Sequence, residues 1–506
     1  MGERNKRTKL KKSMGPGSIW AVAVGSIIGW GCFIQGGLWT ERAGGPLPLF
    51  LGFLAGGLLM IVVGYSYSYM IAKFPVAGGE FAYAYKGFGR TASYICGWML
   101  SLGYLSIVAL NATALPVLAS YIFPGVFNRG YLYTIAGYDV YMGEVGLSLF
   151  FIILFGIMNY KGAKSVGNLQ LAMVLIMCAA VVVSVIGVIA TGHFDASNLQ
   201  PAYGAEGKSL GSGFVSILAL APFLYVGFDC IPQAAEEYDF PPQKCKMLII
   251  SALIVGALIY GAMALVTDCV VPWQQVLTMT DANGTLVKWH TGAVLDLAMG
   301  KVGVCFVALA VCMGIFTGMN GFFMTSSRLL FGMARAKMLP SAFEKVHPEH
   351  KTPSICVGFT MIICCICPFF GRVVDMCSVG TAFGYFFTCA GAYILLKKYG
   401  DDTDTNKIHP AVAMGGCVIS VVILLLLIVP GSPAFMAPQS FAALIVWVLM
   451  GVTFYFVSKK NFAKVTKREM DYLILGNVQV VRGLRKGKDQ GRVVQGNIVA
   501  DQSNKS

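Results

Sequence analysis

The chain has 506 residues, of which 56% are apolar and 12% are charged, and its formal net charge is +14 at pH 7. Soluble proteins carry about 25% charged residues, so this composition argues against a string of soluble domains. The apolar residues also form long runs, such as 171–190 and 247–266. Each run is long enough to cross the ~30 Å hydrocarbon core of a bilayer, which predicts an integral membrane protein.

Twelve membrane-spanning helices are predicted from the apolar runs and from the turn and charge signals between them. They cover 17–38, 46–72, 91–122, 142–160, 168–190, 211–235, 247–271, 296–326, 352–371, 376–396, 411–429 and 439–458. Most connections are short, but the outward loop around 272–301 and the inward loop around 333–352 are long enough to hold short helices.

The basic residues indicate the orientation of the chain. With a cytoplasmic N-terminus, only six of the 38 Lys and Arg residues fall in outward loops: Arg42, Arg129, Lys208, Lys288, Lys301 and Arg372. This asymmetry follows the positive-inside rule, so both termini are predicted to be cytoplasmic in a multi-pass protein of the plasma or inner membrane. The basic excess then attracts anionic membrane lipid, and nucleic acid is not an expected partner.

Two spans carry residues that break helices. Span 1 contains the Gly-Trp-Gly triplet 29–31, and span 6 contains Gly227 between Pro222 and Pro232. Relative to Ala, Gly costs a helix about 1 kcal/mol and Pro about 3. A bilayer tolerates opened backbone only where it lines an enclosed polar site. The breaks lie five spans apart, which is typical of inverted-repeat transporters with a binding site near the midplane.

Several segments, in this order and spacing, resemble signatures of the amino acid–polyamine–organocation (APC) superfamily of permeases. They are Gly25-x-x-Ile28-Gly29-x-Gly31-x-Phe33, Phe74-Pro75-x-Ala77-Gly78-Gly79-Glu80-Phe81-x-Tyr83, Asn159-x-x-Gly162-x-Lys164, Ala235-Glu236-Glu237, and Ser327-Arg328-Leu329-x-Phe331-x-Met333-Ala334-Arg335. The resemblance implies an all-α membrane fold, a LeuT-type five-plus-five inverted repeat with discontinuous helices 1 and 6. It also implies a secondary transporter of amino acids or related small amines that works by alternating access, not an enzyme.

The predicted organisation follows from the resemblance. Residues 1–16 form a basic cytoplasmic tail, 17–396 the transport core of helices 1–10, 411–458 two peripheral helices, and 459–506 a second cytoplasmic tail. No cofactor and no confident metal site is predicted. The partners expected are the small-molecule substrate, membrane lipid and a coupling ion.

The breaks offer backbone groups to a substrate. The amides around Gly31, Cys32 and Phe33 would begin a half-helix, where unpaired N–H groups and the helix dipole favour a carboxylate. The carbonyls near Ile28 and Val226 would end the opposing half-helices and accept from an ammonium group.

The glycines at the breaks would keep side chains away from this backbone, which accounts for Gly29, Gly31 and Gly227. Trp30 departs from the family pattern, in which the middle position is usually small. It either fills part of the pocket or stacks on a cation, or else turns away and packs on a neighbouring helix. Phe223 occupies the position where the resemblance implies an aromatic gate over the substrate, and ordinary apolar packing is the alternative.

Asp229 is the main candidate for ion coupling. An acidic residue inside a span is costly and usually functional, so Asp229 is predicted to carry a proton or pair with a cationic amine, with a water-filled vestibule or backbone capping as the alternative. Many relatives carry a Lys where this chain has Met177. Sodium could then bind between helices 1 and 8, with Thr317 as a weak candidate ligand. Proton coupling, sodium coupling and exchange without an ion all stay open.

Other classes of function fit less well. A polyamine or organocation carrier is the alternative within the same superfamily. A channel would need a filter-like segment, an intramembrane enzyme would need a catalytic constellation, and an ATP-driven pump would need a phosphate-binding loop. None of these patterns is evident in the sequence. A channel or an intramembrane sensor remains the alternative from a different class.

Overall fold

The computed structural model describes residues 7–476 apart from 9, 136–137, 281–283, 285, 288, 371–375, 400–407 and 433. Lys288, Arg372, residues 1–6 and 9 of the predicted N-terminal tail and residues 477–506 of the predicted C-terminal tail therefore lie outside the described residues. The helices are α1 (Pro16–Ile28), α2 (Gly31–Ile34), α3 (Gly36–Ala43), α4 (Pro46–Lys73), α5 (Gly79–Phe88), α6 (Arg90–Ile122), α7 (Met142–Lys161), α8 (Ala163–Ala190), α9 (Leu210–Leu218), α10 (Ala221–Leu224), α11 (Cys230–Gln233), α12 (Cys245–Val270), α13 (Trp273–Val276), α14 (His290–Arg335), α15 (Ser354–Ile366), α16 (Met376–Tyr399), α17 (Pro410–Ile428), α18 (Pro438–Phe462) and α19 (Lys467–Leu475).

Nine helices in the described part of the chain are long and apolar enough to cross a membrane: α4, α6, α7, α8, α12, α14, α16, α17 and α18. Two shorter apolar helices are α1 and α15. The prediction of a multi-pass helical membrane protein is therefore confirmed. Twelve crossings and the five-plus-five repeat stay predictions.

Both predicted helix breaks are present. Helix α1 ends at Ile28 and α2 begins at Gly31, while α10 ends at Leu224 and α11 begins at Cys230. A third interruption was not predicted: Gly300 has non-helical backbone angles (φ 63°, ψ −154°) inside α14. It divides a short N-terminal segment of α14 from the long helix that follows, so the loop around 272–301 does hold helical turns, as expected.

The described chain is mostly helical, and one short connection between helices contains strands. Residues between α6 and α7 form an antiparallel hairpin of β1 (Tyr131–Ile135) and β2 (Tyr138–Tyr141). Tyr131 and Tyr141 contact each other edge to face across it, with ring centroids 5.9 Å apart. The segment contains tyrosines and branched residues that favour strands, but it is too short to stand out between long apolar runs.

Glycine allows the closest helix contacts. A Cβ atom on Gly380 of α16 would lie 2.5 Å from the backbone N of Gly103 on α6, so the two backbones touch. The backbone of α5 approaches α16 in the same way where Gly87 meets Gly391. Lipid gives little hydrophobic drive between helices, so close packing of small residues is what holds such pairs together.

Three ion pairs gather at one end of the bundle, called here the terminal face, where residues 10–14 and α19 also lie. Arg328 of α14 pairs with Glu237 at 3.1 Å, and both side chains are buried. Arg335 and Arg7 both pair with Glu236, at 2.7 and 2.5 Å. Arg7 also donates to the Leu473 carbonyl of α19, so the first and last described segments of the chain are in contact at this face.

The contact between Gly380 and Gly103 yields a stability prediction. Gly380→Ala should lower the thermal stability in detergent by the equivalent of about 1–3 kcal/mol, because the added methyl group overpacks against backbone. Gly146 on α7 is the matched control, since a Cβ there meets nothing within 4 Å. Gly146→Ala should leave stability unchanged or raise it by up to about 1 kcal/mol. Equal effects at the two positions would contradict the proposed packing.

Candidate functional site

The two broken helices cross at their breaks. A Cβ atom on Gly227 would lie 2.5 Å from the backbone N of Ile27 and 2.6 Å from the carbonyl carbon of Ser26. Gly227 also has φ 139°, which side-chain-bearing residues rarely adopt. The close contact with α1 and the backbone angle both demand glycine here, whereas the sequence analysis explained Gly227 by access of substrate to the backbone.

At Gly29 the reason for glycine differs from the expected one. A Cβ there would meet nothing within 4 Å, so space is not the constraint. The constraint is the backbone angle, φ 51° with ψ −143°, which turns the chain between α1 and α2. The close approach occurs at Gly314 of α14 instead, because a Cβ on Gly314 would lie 1.9 Å from the Gly29 carbonyl oxygen.

A cavity of about 60 Å³ lies at this crossing. Six predicted site residues line it: Ile28, Gly29, Trp30, Gly31, Phe223 and Val226. The other wall residues are Ser26, Ile27, Gln35, Trp39, Ile107, Leu110, Asn111, Leu224, Tyr260, Phe322 and Cys377. The predicted residues Cys32, Phe33 and Gly227 are not among its wall residues. Cys32 and Phe33 are buried in the core.

Tyr260 of α12 connects both breaks, and sequence reasoning missed it. Its hydroxyl lies 2.8 Å from the Ile27 carbonyl oxygen, 3.3 Å from that of Ile28 and 2.9 Å from that of Leu224. These carbonyls end α1 and α10, where no intrahelical N–H group reaches them. The hydroxyl has one proton and faces three carbonyl oxygens, so these oxygens can still accept hydrogen bonds from another donor. A lone Tyr in an apolar run carried no signal of this role.

The cavity wall is aromatic and uncharged. Trp30 and Phe223 are partly buried and line the cavity while packing on the core, so Trp30 does not turn away from the site. No wall residue in the described chain has a charged side chain. Asn111 adds a polar group, since its Nδ2 donates to the Ile107 carbonyl while its buried Oδ1 has no hydrogen-bond partner in the structure described.

Asp229 lies just beyond the second break and is fully buried. Its Oδ1 accepts a hydrogen bond from the Gly227 N–H at 2.7 Å, so the carboxyl group caps the opened backbone. Its Oδ2 has no hydrogen-bond partner among the described residues. One carboxyl oxygen is thus hydrogen-bonded to the backbone at the break, and the other can still take part in a hydrogen bond.

Thr317 is a residue of α14, and its hydroxyl contacts the Gly25 carbonyl of α1 at 3.2 Å. It therefore lies at the junction of helices 1 and 8 for which it was named as a candidate ligand. The amide of Gln170 on α8 occupies the same junction. Its Nε2 donates to the Thr317 carbonyl at 3.0 Å and lies 3.4 Å from the Ala21 carbonyl. Asn320 in turn donates to the Gln170 Oε1 at 2.7 Å, which holds the amide in this orientation.

Comparison with known proteins agrees with this architecture. The sequence model of the family described as Amino acid permease matches residues 15–454. The chain is 24% identical to the methylthioribose transporter of Bacillus subtilis, over 92% of this chain and 97% of that protein. It is 23% identical to the branched-chain amino acid permease of the same species, over 90% and 95% of the two chains.

A third relative, the aspartate–proton symporter of Bacillus subtilis, is 25% identical over 75% of this chain and 72% of its own. All of these relatives are transporters and none is an enzyme. The family match extends through both broken helices and the residues around the cavity, and it confirms the resemblance drawn from the motifs. The chain belongs to the amino acid permease family.

Proposed function

We propose that this protein is a secondary active transporter that moves a small neutral amino acid, or a closely related amine, across a cell membrane by alternating access. The observation that carries the proposal is the cavity at the crossing of two broken helices. Opened backbone at that depth is tolerated only around an enclosed polar site. Relatives named for amino acid transport match most of this chain, which supports the substrate class.

The site would bind both ends of an amino acid through backbone. The first turn of α2 would hold the carboxylate through the N–H groups of Gly31 and Cys32, whereas the Phe33 N–H already donates to the Trp30 carbonyl at 3.1 Å. The carbonyls near Ile28 and Val226 would accept from the ammonium group. The Tyr260 hydroxyl competes for the first of these carbonyls, and the substrate would displace or share that bond.

The uncharged wall favours a neutral zwitterion over a polyamine. A second or third charge on the substrate would have to be buried against Trp30, Phe223 and Leu110 with no opposite charge beside it, which is costly. An acidic side chain would meet the same penalty. The polyamine carrier therefore ranks below the amino acid transporter, and an open pore is disfavoured because the cavity holds only a few water-sized volumes.

Trp30 and Phe223 would set the size of the substrate. Phe223 lies in α10, in the half of span 6 that precedes the second break, and it lines the cavity. From this position its ring can close over bound substrate. Trp30 occupies space between the two glycines of the first break. A large substrate side chain would enter only if one of these rings moved.

Proton coupling is favoured over sodium coupling. A sodium ion between helices 1 and 8 would use the carbonyls of Ala21 and Thr317, but the Gln170 amide already donates to Thr317 and reaches towards Ala21. Its N–H groups point at oxygens that a cation would need. Asp229 then remains the candidate for carrying the transported charge as a proton. Thr317 would serve as a helix-joining hydroxyl.

The location and topology follow from the same proposal. The protein would lie in a plasma or inner membrane with both termini cytoplasmic, so the terminal face would be the cytoplasmic side. Ion pairs Arg328–Glu237 and Arg335–Glu236 would then close the inner exit, and Ser13 and Met14 support it by donating to the Glu237 carbonyl. Inward opening would require these contacts to separate.

The function is tested in proteoliposomes with labelled alanine, leucine, phenylalanine, arginine, aspartate and putrescine. Saturable uptake of alanine or leucine is expected. Gly227→Val should abolish it, because the side chain collides with helix α1. Gly192→Val is the matched control: Gly192 also has a positive φ (75°), but a Cβ there meets nothing within 4 Å. Uptake that never saturates, or that survives Gly227→Val, would contradict a carrier with this site.

Trp30→Ala should widen the substrate range towards large side chains. We expect uptake of phenylalanine relative to alanine to rise by about ten-fold or more, the scale of discrimination that pocket size provides. Trp273→Ala removes an indole that is more deeply buried than Trp30 but does not line the cavity, and it should leave the ratio unchanged. An unchanged ratio in Trp30→Ala would assign Trp30 to packing alone.

Replacing sodium with potassium in both compartments should leave the initial rate of uptake unchanged, because the Gln170 amide fills the helix 1–helix 8 junction. The measurement is uptake of labelled alanine or leucine at constant ionic strength. Strong dependence on sodium that disappears in Thr317→Ala would show instead that a sodium site exists at this junction.

A further inference from the structure

A second buried carboxyl group lies beside Asp229. Glu80, at the start of α5, is fully buried, as is Asp229. The Tyr104 hydroxyl of α6 lies 3.3 Å from Glu80 Oε1 and 3.3 Å from the Asp229 carbonyl oxygen, so it spans the two residues. Gln233 of α11 donates to Glu80 Oε2 at 2.5 Å. The five-residue stretch from Asp229 to Gln233 thus faces Glu80 at both ends.

No positive charge balances this pair in the part of the chain described. The ionisable groups facing the two carboxyls are Tyr67 from α4, Tyr83 from α5, Cys96 and Tyr104 from α6, Cys230 from α11, Tyr238 after α11 and Tyr385 from α16. All of these are uncharged when protonated. Helix α14 also packs on α5, but its Arg328 and Arg335 are paired with Glu237 and Glu236.

Several polar atoms around the pair lack partners. Asp229 Oδ2 and the hydroxyls of Tyr67 and Tyr385 are buried without a hydrogen bond of normal geometry to any described residue. Tyr67 faces both carboxyl groups. Buried polar atoms usually take part in hydrogen bonds, so a proton on either carboxyl group has oxygen acceptors close to it.

Two carboxylates cannot both stay ionised in such a place. Burial penalises each charge, and each negative charge penalises the other. We propose that Glu80 and Asp229 form a proton-binding pair that holds at least one proton when the site is closed, and that this pair couples transport to proton movement. The inference rests on the proposed transport function and names the coupling site within it.

The chemistry around the pair suits a proton better than a metal ion. Tyr104, Gln233 and the Gly227 N–H direct hydrogens towards the carboxyl oxygens or beside them, and donors repel a cation. The Gln233 amide can also serve both protonation states. Its Nε2 donates to ionised Glu80, and if the amide turns over, its Oε1 accepts from the protonated acid.

The pair is linked to the substrate cavity by two routes. Asp229 holds the Gly227 N–H, and Gly227 sits at the crossing of the broken helices. The Tyr104 ring contacts Phe322, a wall residue, with centroids 5.8 Å apart. Losing the proton would place a charge beside the break and favour a conformation that admits water to it. Binding of substrate and binding of the proton would thereby shift the same conformational equilibrium at the break.

The test compares two assays in proteoliposomes, using alanine or whichever panel compound wild type exchanges fastest. For one proton per substrate, an outside pH lower by about two units drives up to about 100-fold accumulation. Glu80→Gln should lose this gradient-driven accumulation yet retain counterflow exchange at equal pH. Its exchange should also become independent of pH between about 5 and 8, where the wild type varies.

Glu41→Gln is the matched control, because the same change is made on an exposed glutamate of α3 and both assays should match wild type. Glu80→Asp should recover part of the gradient-driven accumulation, since it keeps the carboxyl. Gradient-driven accumulation at the wild-type level in Glu80→Gln would overturn the inference. Absence of counterflow in wild type for every compound would instead overturn the transport function.

If Glu80→Gln fails to fold, the inference is tested by measuring proton influx with the wild-type protein. Adding unlabelled substrate outside should acidify the vesicle interior, as reported by trapped pyranine, at a rate proportional to uptake. Asp229→Asn, judged for folding by size-exclusion chromatography, should lose this proton influx while retaining counterflow. Substrate uptake by wild type with no accompanying proton influx would overturn the inference.

Discussion

The Tyr260 hydroxyl stands where two opened helices would otherwise leave buried carbonyl groups without partners. An unpaired backbone group is expensive in hydrocarbon, at several kcal/mol. The carbonyls of Ile27, Ile28 and Leu224 share this hydroxyl, and the Gly227 N–H is taken by Asp229. Side chains thus reduce the cost of the two breaks, although one hydroxyl proton cannot satisfy all three carbonyl groups at once. A substrate that supplies the same kinds of group can compete for this backbone.

Paired and unpaired charged side chains occupy different regions of the helix bundle. The paired charges, Arg328 with Glu237 and Arg335 with Glu236, lie at the terminal face and join α14 to the end of the second broken helix. The unbalanced carboxyls, Glu80 and Asp229, lie next to the break. The cavity wall itself has no charge among the described residues. Under the proposed function, such an arrangement would separate recognition of a zwitterion by backbone from storage of the coupling charge.

Glycine has two different physical roles around the site, and one glycine combines them. Gly29 provides a backbone angle, Gly314 provides room for the Gly29 carbonyl, and Gly227 provides both. A sequence motif treats these alike. The triplet at 29–31 pointed to the right place, but Gly314 lies 285 positions beyond Gly29 and nothing in its local sequence marks it. Only the crossing of α14 over the break shows why it is there.

The sequence by itself determined the membrane class, nine of the spans, both breaks and the family, because these depend on composition and on local helix-breaking residues. It also identified six residues of the cavity wall, all within or near the breaks. It could not find Tyr260, and for Asn111 and Gln170 it predicted only hydrogen bonds between helices, since each is one polar side chain in an apolar run. Their roles arise from which helix faces which, and that is decided by long-range packing. Glu80 belonged to a recognised motif, yet its pairing with Asp229 appeared only when α5 and α11 were seen to meet.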